Sequence, residues 1–376
     1  MTINREVARI ASRTNKIDRN HVYPLVMNGD MRVAQRGTST SSVSTDVYTC
    51  VDRWRTNINS YGAYTISQST TVPSGQGFKH SFKIDCTTAD ASPASGDLFT
   101  FEQRMEGQDC QLFNKGTSDC TTWTLAFWIK SNLTGNFTVN LVDEDNSRRV
   151  GSLVTIAQAD TWEKKVLNFP ADTTGALGVD NGDSFRIQFF LGVGSNFTSG
   201  TLPSAWESAT TANFAAGQTA FIGSSTDNEV FFTGVQLELG TFSADNCPEF
   251  QFLDQATQLK QCQRYYQMII NGDDQFIGNG HFHADDYVFV PAHFKNTMRA
   301  APTAEVTTAS QYWATEGGNN IAAFDNIDGV AHATNKGALF YTDGDNVNAV
   351  DPYTGNSTCK VRSNHANARL ALTADL

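Results

Sequence analysis

Val235-Gln236-Leu237-Glu238-Leu239-Gly240-Thr241 and, after a polar stretch, Leu259-Lys260-Gln261-Cys262-Gln263-Arg264-Tyr265-Tyr266 decide how this chain is read. In the first, apolar Val235, Leu237 and Leu239 alternate with polar Gln236 and Glu238. That is the period of a strand, and Gly240 ends it. In the second, Phe252, Ala256, Leu259, Cys262 and Tyr266 recur at spacings of three and four, which predicts a helix with one apolar stripe. A last strand that closes a sheet and then leaves through a helix joins two modules.

Upstream the same period recurs. From Thr122 to Lys130, Trp123, Leu125, Phe127 and Ile129 point one way, and Thr124, Ala126, Trp128 and Lys130 the other, as in a central strand. Phe137 to Val142 reads as its neighbour, and Phe185 to Leu191 and Glu229 to Leu237 as two more strands. Residues 192–228, rich in Gly, Ser, Thr, Asn and Ala, form a long loop of the kind that carries function or an interface. After the helix a β-pattern restarts: Tyr287 to Val290 is a strand, broken by Pro291. The expected fold class is all-β, a jelly-roll β-sandwich with a short N-terminal helix, a connecting helix and a smaller C-terminal β-rich domain. The expected boundaries are 1–24, 25–250, 251–270 and 271–376.

Composition agrees. A chain of 376 residues exceeds one ordinary core, and low charge with 25 Phe favours pleated surfaces joined by loops. A net charge of −12 opposes binding along a nucleic-acid backbone. The first twenty residues run the other way, with Arg5, Arg9, Arg13, Lys16 and Arg19 against Glu6 and Asp18. There Ile3, Val7 and Ile10 share a helical face, and Arg5, Arg9 and Arg13 another, so a short amphipathic helix is expected to anchor on a partner. No apolar run is long enough to span a membrane, and no secretory core follows the first methionine, so no membrane insertion is expected. Seven cysteines without a CxxC pair read as buried, reduced thiols. The four Asn-x-Ser/Thr sites, at Asn132, Asn136, Asn196 and Asn356, read as turn chemistry.

The pairing of Val235–Gly240 with Gln261–Tyr266 resembles tailed-bacteriophage tail-fibre and virion-surface proteins. In these a carbohydrate-binding-module-like β-sandwich ends in a VQLE-G strand followed by an RCQRYY segment; here Gln261 replaces the first arginine. Asn28 to Thr38 is similar to the opening strand of such modules. Asp52-Arg53-Trp54, Asp85 to Pro93, Leu125 to Lys130, Thr161 to Lys165 and, downstream, Thr297 to Pro302 resemble further segments. The resemblance implies a virion structural protein, made in the host bacterial cytoplasm and carried on the virion surface as a tail fibre or short spike. It implies a homotrimer, held to other virion proteins through the N-terminus and touching host-surface glycan. An architectural alternative is a capsid cement or tail adaptor that binds no sugar. A polysaccharide depolymerase is a third reading.

No motif for nucleophilic, metallohydrolase or nucleotide chemistry occurs in a fitting context, so no enzyme and no cofactor are expected. Glu102 and Glu106 are the carboxylate pair to weigh for a glycanase. For sugar stacking the candidates are Trp206 in the long loop, then Tyr61 and Tyr64, then Tyr312 and Trp313. Trp54, Trp123 and Trp162 read as core. Two metal readings are carried forward. His281 and His283, two apart on a strand, face one side and would ring a trimer axis around a transition metal; Asp143 and Asp145 lie in an oxygen-rich loop of the kind Ca²⁺ takes.

Overall fold

The computed structural model describes residues 24–284, 287–307, 312–317, 320–343 and 358–376. The N-terminal helix, with Ile3, Arg5, Val7, Arg9, Ile10 and Arg13, lies outside the described residues. By internal packing the chain divides into two units, one up to Gln258 and one from Leu259 to Asp375.

Strands of the first unit, numbered along the chain, form two antiparallel sheets. One runs, in spatial order, β1 (Ser39–Val43), β4 (Ala63–Ser69), β5 (Ser81–Thr88), β13 (Glu229–Leu239), β7 (Trp123–Ser131) and β10 (Glu163–Phe169). The other runs β12 (Glu207–Ser208), β9 (Arg148–Ile156), β8 (Gly135–Asp143), β11 (Asp183–Val193), β6 (Leu98–Glu106), β3 (Arg55–Asn59) and β2 (Val47–Tyr48). The chain crosses between sheets from β5 to β6, β6 to β7, β7 to β8, β9 to β10 and β10 to β11, which winds it as a jelly roll. The inward residues of both sheets meet as an aromatic core. Phe101 lies 4.7 Å from Trp54, 4.5 Å from Phe82 and 4.9 Å from Phe232, ring centre to ring centre. Each such ring stabilises the fold by about 1.5–3 kcal/mol through burial.

One expectation is corrected here. Asn28 to Thr38 is turn and loop instead of an opening strand, because Asn28 (φ 52°) and Met31 (φ 59°) adopt left-handed conformations that no ladder accommodates. The Asn28 side chain fixes that turn, accepting from Val33 N and donating to Val33 O, both at 2.9 Å. The strand Glu229–Leu239, the last of its sheet in chain order, lies between β5 and β7.

The connecting helix α1 (Gln255–Cys262) is shorter than its apolar stripe suggests. Asp254 caps it, its carboxylate accepting from Thr257 N at 3.0 Å and Thr257 Oγ1 at 2.6 Å. Tyr266 leaves the helix because the aromatic and branched run Tyr266–Asn271 forms β14 instead.

In the second unit β14 pairs with β23 (Arg369–Thr373), which pairs with β17 (Thr303–Val306). A larger sheet runs β19 (Asn320–Phe324), β18 (Trp313–Gly317), β22 (Thr358–Ser363), β15 (Phe276–Ala284), β16 (Tyr287–His293), β21 (Gly337–Asp343) and β20 (Gly329–Ala331). Pro291 does not break β16: it sits opposite Leu339 of β21. Pairing of β16 with β15 ends at Phe289, so beyond it one side of the strand has no ladder for a proline to interrupt.

Candidate functional site

The site begins with a local irregularity of β13. Its register against β7 passes from Thr233 opposite Trp128 to Gln236 opposite Ala126, one residue more on β13 than on β7. This β-bulge centres on Gly234, whose φ of +63° favours glycine. A Cβ there would come within 2.5 Å of the Phe78 ring, so the missing side chain is what admits Phe78 to the outer face of the sheet. The bulge re-aims the strand, leaving Val235 in the core and turning Gln236 outward.

Around Gln236 two segments rise from the sheet, one between β4 and β5 and one following β13. They enclose a cleft of about 400 Å³. Phe78, Phe250 and Phe252 cluster on one side with ring centres 4.9–5.2 Å apart. Half-buried Trp128 and exposed Lys164 line it from β7 and β10, and Glu249 from the segment after β13. Gln236 is buried; its amide donates to Pro248 O at 2.8 Å and so fastens that segment. Its Oε1 has no donor among the described residues. An unmet buried acceptor costs about 1–3 kcal/mol.

Next to the cleft the outer face continues as alternating aromatic and cationic side chains. Trp128 lies opposite Lys164 across β7 and β10. Lys130, two residues along from Trp128 on the same face, lies opposite Phe231 of β13, with Nζ 5.3 Å from that ring centre. Half-buried Trp162, just before β10, meets Phe231 edge-on at 6.1 Å, and its Nε1 has no acceptor among the described residues. Lys83, on the other side of Phe231, is committed to Glu229 at 2.7 Å and Asp85 at 3.2 Å. Lys130 and Lys164 form no ion pair among the described residues.

The residues proposed from sequence lie elsewhere. Trp206 is buried in the first unit's core, 5.5 Å from Trp123, and donates through Nε1 to Pro170 O at 2.9 Å; it pins its loop instead of presenting a ring. Tyr61 and Tyr64 are buried because β4 and its preceding turn face them inward. Tyr61 packs where Gly192 and Gly223 lack a Cβ, and Tyr64 lies 4.4 Å from Phe99. Burial pushes both phenols well above the usual tyrosine range. Trp313 is buried in the core of the second unit. Tyr312 is half-buried and stacks on His365 at 4.1 Å. None of these five joins the cleft. The sequence pointed toward Trp128 only by placing it beside Lys130 on the polar face of its strand, and Trp162, read as core, lies on that same outer face.

The long loop 192–228 folds over the outer face of the sheet containing β11. Asn140 Nδ2 donates to Phe214 O at 2.7 Å, and the Arg149 guanidinium stacks 3.7 Å from the Phe214 ring centre. Glu102, on that face, is fully buried and held by Arg55 and Arg104, each at 2.8 Å. Burial raises its carboxyl above the usual range, with Arg186 and Arg55 opposing. Glu106 sits four residues along the strand, about 13 Å away along the backbone, and its carboxylate accepts from Gln108 Nε2 at 2.6 Å. The glycanase pair is therefore not formed by these two.

For metals, Asp143 is already engaged: Lys115 donates to it, and Asn146 N reaches its Oδ1 at 2.9 Å. The same ammonium meets Asp172 Oδ2 at 2.8 Å and the carbonyls of Thr174 and Gly175 at 3.0 Å each, so it fills the place a cation would take. Asp145 points away, accepting from Gly178 N at 2.8 Å. His281 is exposed, with its ring 5.8 Å from Phe289; the side chain of His283 lies outside the described residues. Among the described residues no three His, Cys, Asp or Glu side chains gather as a metal site.

No protein-family model matches the chain, and no curated protein matches it. Among solved structures it is similar to the enzymatically active domain of tailspike protein 4 of bacteriophage CBA120, at 14% identity and TM-score 0.29, over 57% of this chain and 21% of that one. It is also similar to the family 11 carbohydrate-binding module of the Clostridium thermocellum cellulase Lic26A-Cel5E, at 10% identity and TM-score 0.27, over 54% of this chain and 97% of that one. A third is the N-terminal cellulose-binding domain of Cellulomonas fimi β-1,4-glucanase C, at 12% identity and TM-score 0.23, over 47% and 85% of the two chains. These similarities are remote, and the strand order and registers above carry the β-sandwich by themselves.

Proposed function

We propose that the chain is a virion-surface component of a tailed phage, a tail fibre or short spike, whose sandwich holds host-surface glycan on the outer face of the sheet containing β13. The observation that carries this reading is the cleft itself: an aromatic wall, half-buried Trp128 and polar groups at the floor and rim. Sugar rings offer an apolar face for stacking and a rim of hydroxyls for hydrogen bonds, and this mixture of surfaces suits both. The ordered motifs from Asn28 to Tyr266, similar to phage fibre proteins, support the virion setting. Assembly as a homotrimer and docking of the basic N-terminal arm on other virion proteins belong to the same reading. The test is retention of the purified full chain on a panel of immobilised bacterial surface polysaccharides. Wild type is retained by at least one, and Trp128→Ala loses that retention while melting like wild type. Retention unchanged in Trp128→Ala would remove the cleft from the account.

A further inference from the structure

We infer that the glycan is acidic, a polysaccharide bearing carboxylates; this rests on the glycan-binding reading and narrows it. The argument is the arrangement of charge beside the aromatic rings. On a chain of net charge −12, two lysines without ion-pair partners among the described residues, Lys130 and Lys164, flank Trp128 on one sheet face. Lys83, by contrast, is neutralised by Glu229 and Asp85. A neutral sugar needs no cation there. A carboxylate substituent on a ring stacked against Trp128 would face Lys164 across the strand pair and Lys130 two residues along, and charge-assisted hydrogen bonds of this kind are about twice as strong as neutral ones. Trp162 extends the surface with a half-buried ring that meets Phe231 edge-on. Glu249 also lines the cleft, so the acidic group is assigned to the Lys130–Lys164 side of Trp128 and sugar hydroxyls to the part of the cleft beside Glu249. The long-range field of the acidic body decays within about 8 Å at physiological salt, so it does not cancel a local pair of cations.

The test uses the full chain and a panel of carboxylate-bearing bacterial polysaccharides, each also in carboxyl-reduced form, with affinity followed at two salt concentrations. Reduction of a bound polysaccharide is expected to weaken binding about tenfold or more, the loss of charge-assisted hydrogen bonds. A K130Q/K164Q variant is expected to lose affinity similarly for the acidic form and markedly less for the reduced one, and binding to the acidic form weakens with salt. Equal binding of acidic and reduced forms, or a double lysine variant that binds like wild type, overturns the acidic assignment and leaves glycan binding standing. Failure to bind any polysaccharide in either form overturns both.

Discussion

Replacing Lys115 by methionine isolates the strongest electrostatic element of the sandwich. Its ammonium is fully buried and donates to Asp143, to Asp172 at 2.8 Å, and to the carbonyls of Thr174 and Gly175 at 3.0 Å, with the Trp206 ring centre 5.0 Å away. Methionine keeps most of the stem's volume and removes the charge. Asp172 retains Arg148, through contacts at 2.8 and 3.0 Å, and Asp143 retains Asn146. Asp143 nevertheless remains a fully buried carboxylate without a cation. Breaking a buried pair in this way costs about 3–5 kcal/mol, because the lost attraction is no longer set against the desolvation already incurred. For a unit of this size each kcal/mol lowers Tm by about 2–4 °C, so a fall of roughly 6–20 °C is expected. Calorimetry with urea unfolding as a second probe measures it. Pairing Lys115→Met with Asp143→Asn should cost less than the sum of the two single changes, since the double variant leaves no bare buried charge. A Lys115→Met protein within about 0.5 kcal/mol of wild type, the range of an ordinary surface change, would refute the reasoning.

Other consequences follow from the same geometry. Burial alone would raise the Asp172 carboxyl, but hydrogen bonds from Arg148 and Lys115 overcome this and hold it below its ordinary 3.8. Its contribution to stability is therefore complete above that unfolded value and is lost as pH falls through the lower folded one. Asp172→Asn should flatten that part of an acid-unfolding curve, and an unchanged curve would contradict the assignment. Gly234→Ala forces a side chain into a left-handed position and against Phe78, so a loss of about 1–3 kcal/mol is expected together with weaker glycan retention; a neutral effect on both would contradict the bulge argument. All seven cysteines are buried and none forms a disulfide, and burial pushes Cys86 and Cys359 up to about 11. A thiol reagent at neutral pH should label the chain only as it unfolds, and rapid labelling of the native protein would overturn this.

The all-β class was legible because alternation along Trp123–Ser131, Asp183–Val193 and Glu229–Leu239 survives any context that buries one face. The bulge was not, because an alternation count treats Phe232-Thr233-Gly234-Val235 as one unbroken strand, whereas the register shift depends on what faces Gly234 across the sheet. The same gap explains the tyrosines and Trp206. A ring near a turn or within a long loop looks presentable in sequence, but the hollows made by Gly192 and Gly223 draw Tyr61 inward, and the Lys115 ion-pair cluster draws Trp206 down. The cleft joins residues from Gly75 to Phe252 that no local spacing links. Asp143 and Asp145 matched a calcium loop in composition, yet the cation that answers Asp143 is a lysine from a distant segment, beyond the reach of a local pattern.

The central claim is that sugar is held over Trp128 on the outer face of the sheet containing β13. A crystal structure of the full chain with an oligosaccharide cut from whichever polysaccharide it retains tests this most directly. The account predicts a pyranose ring stacked on Trp128 beside the wall of Phe78, Phe250 and Phe252. A sugar ordered against the opposite sheet, or in the second unit, with the cleft at Phe78 and Trp128 vacant, would contradict it.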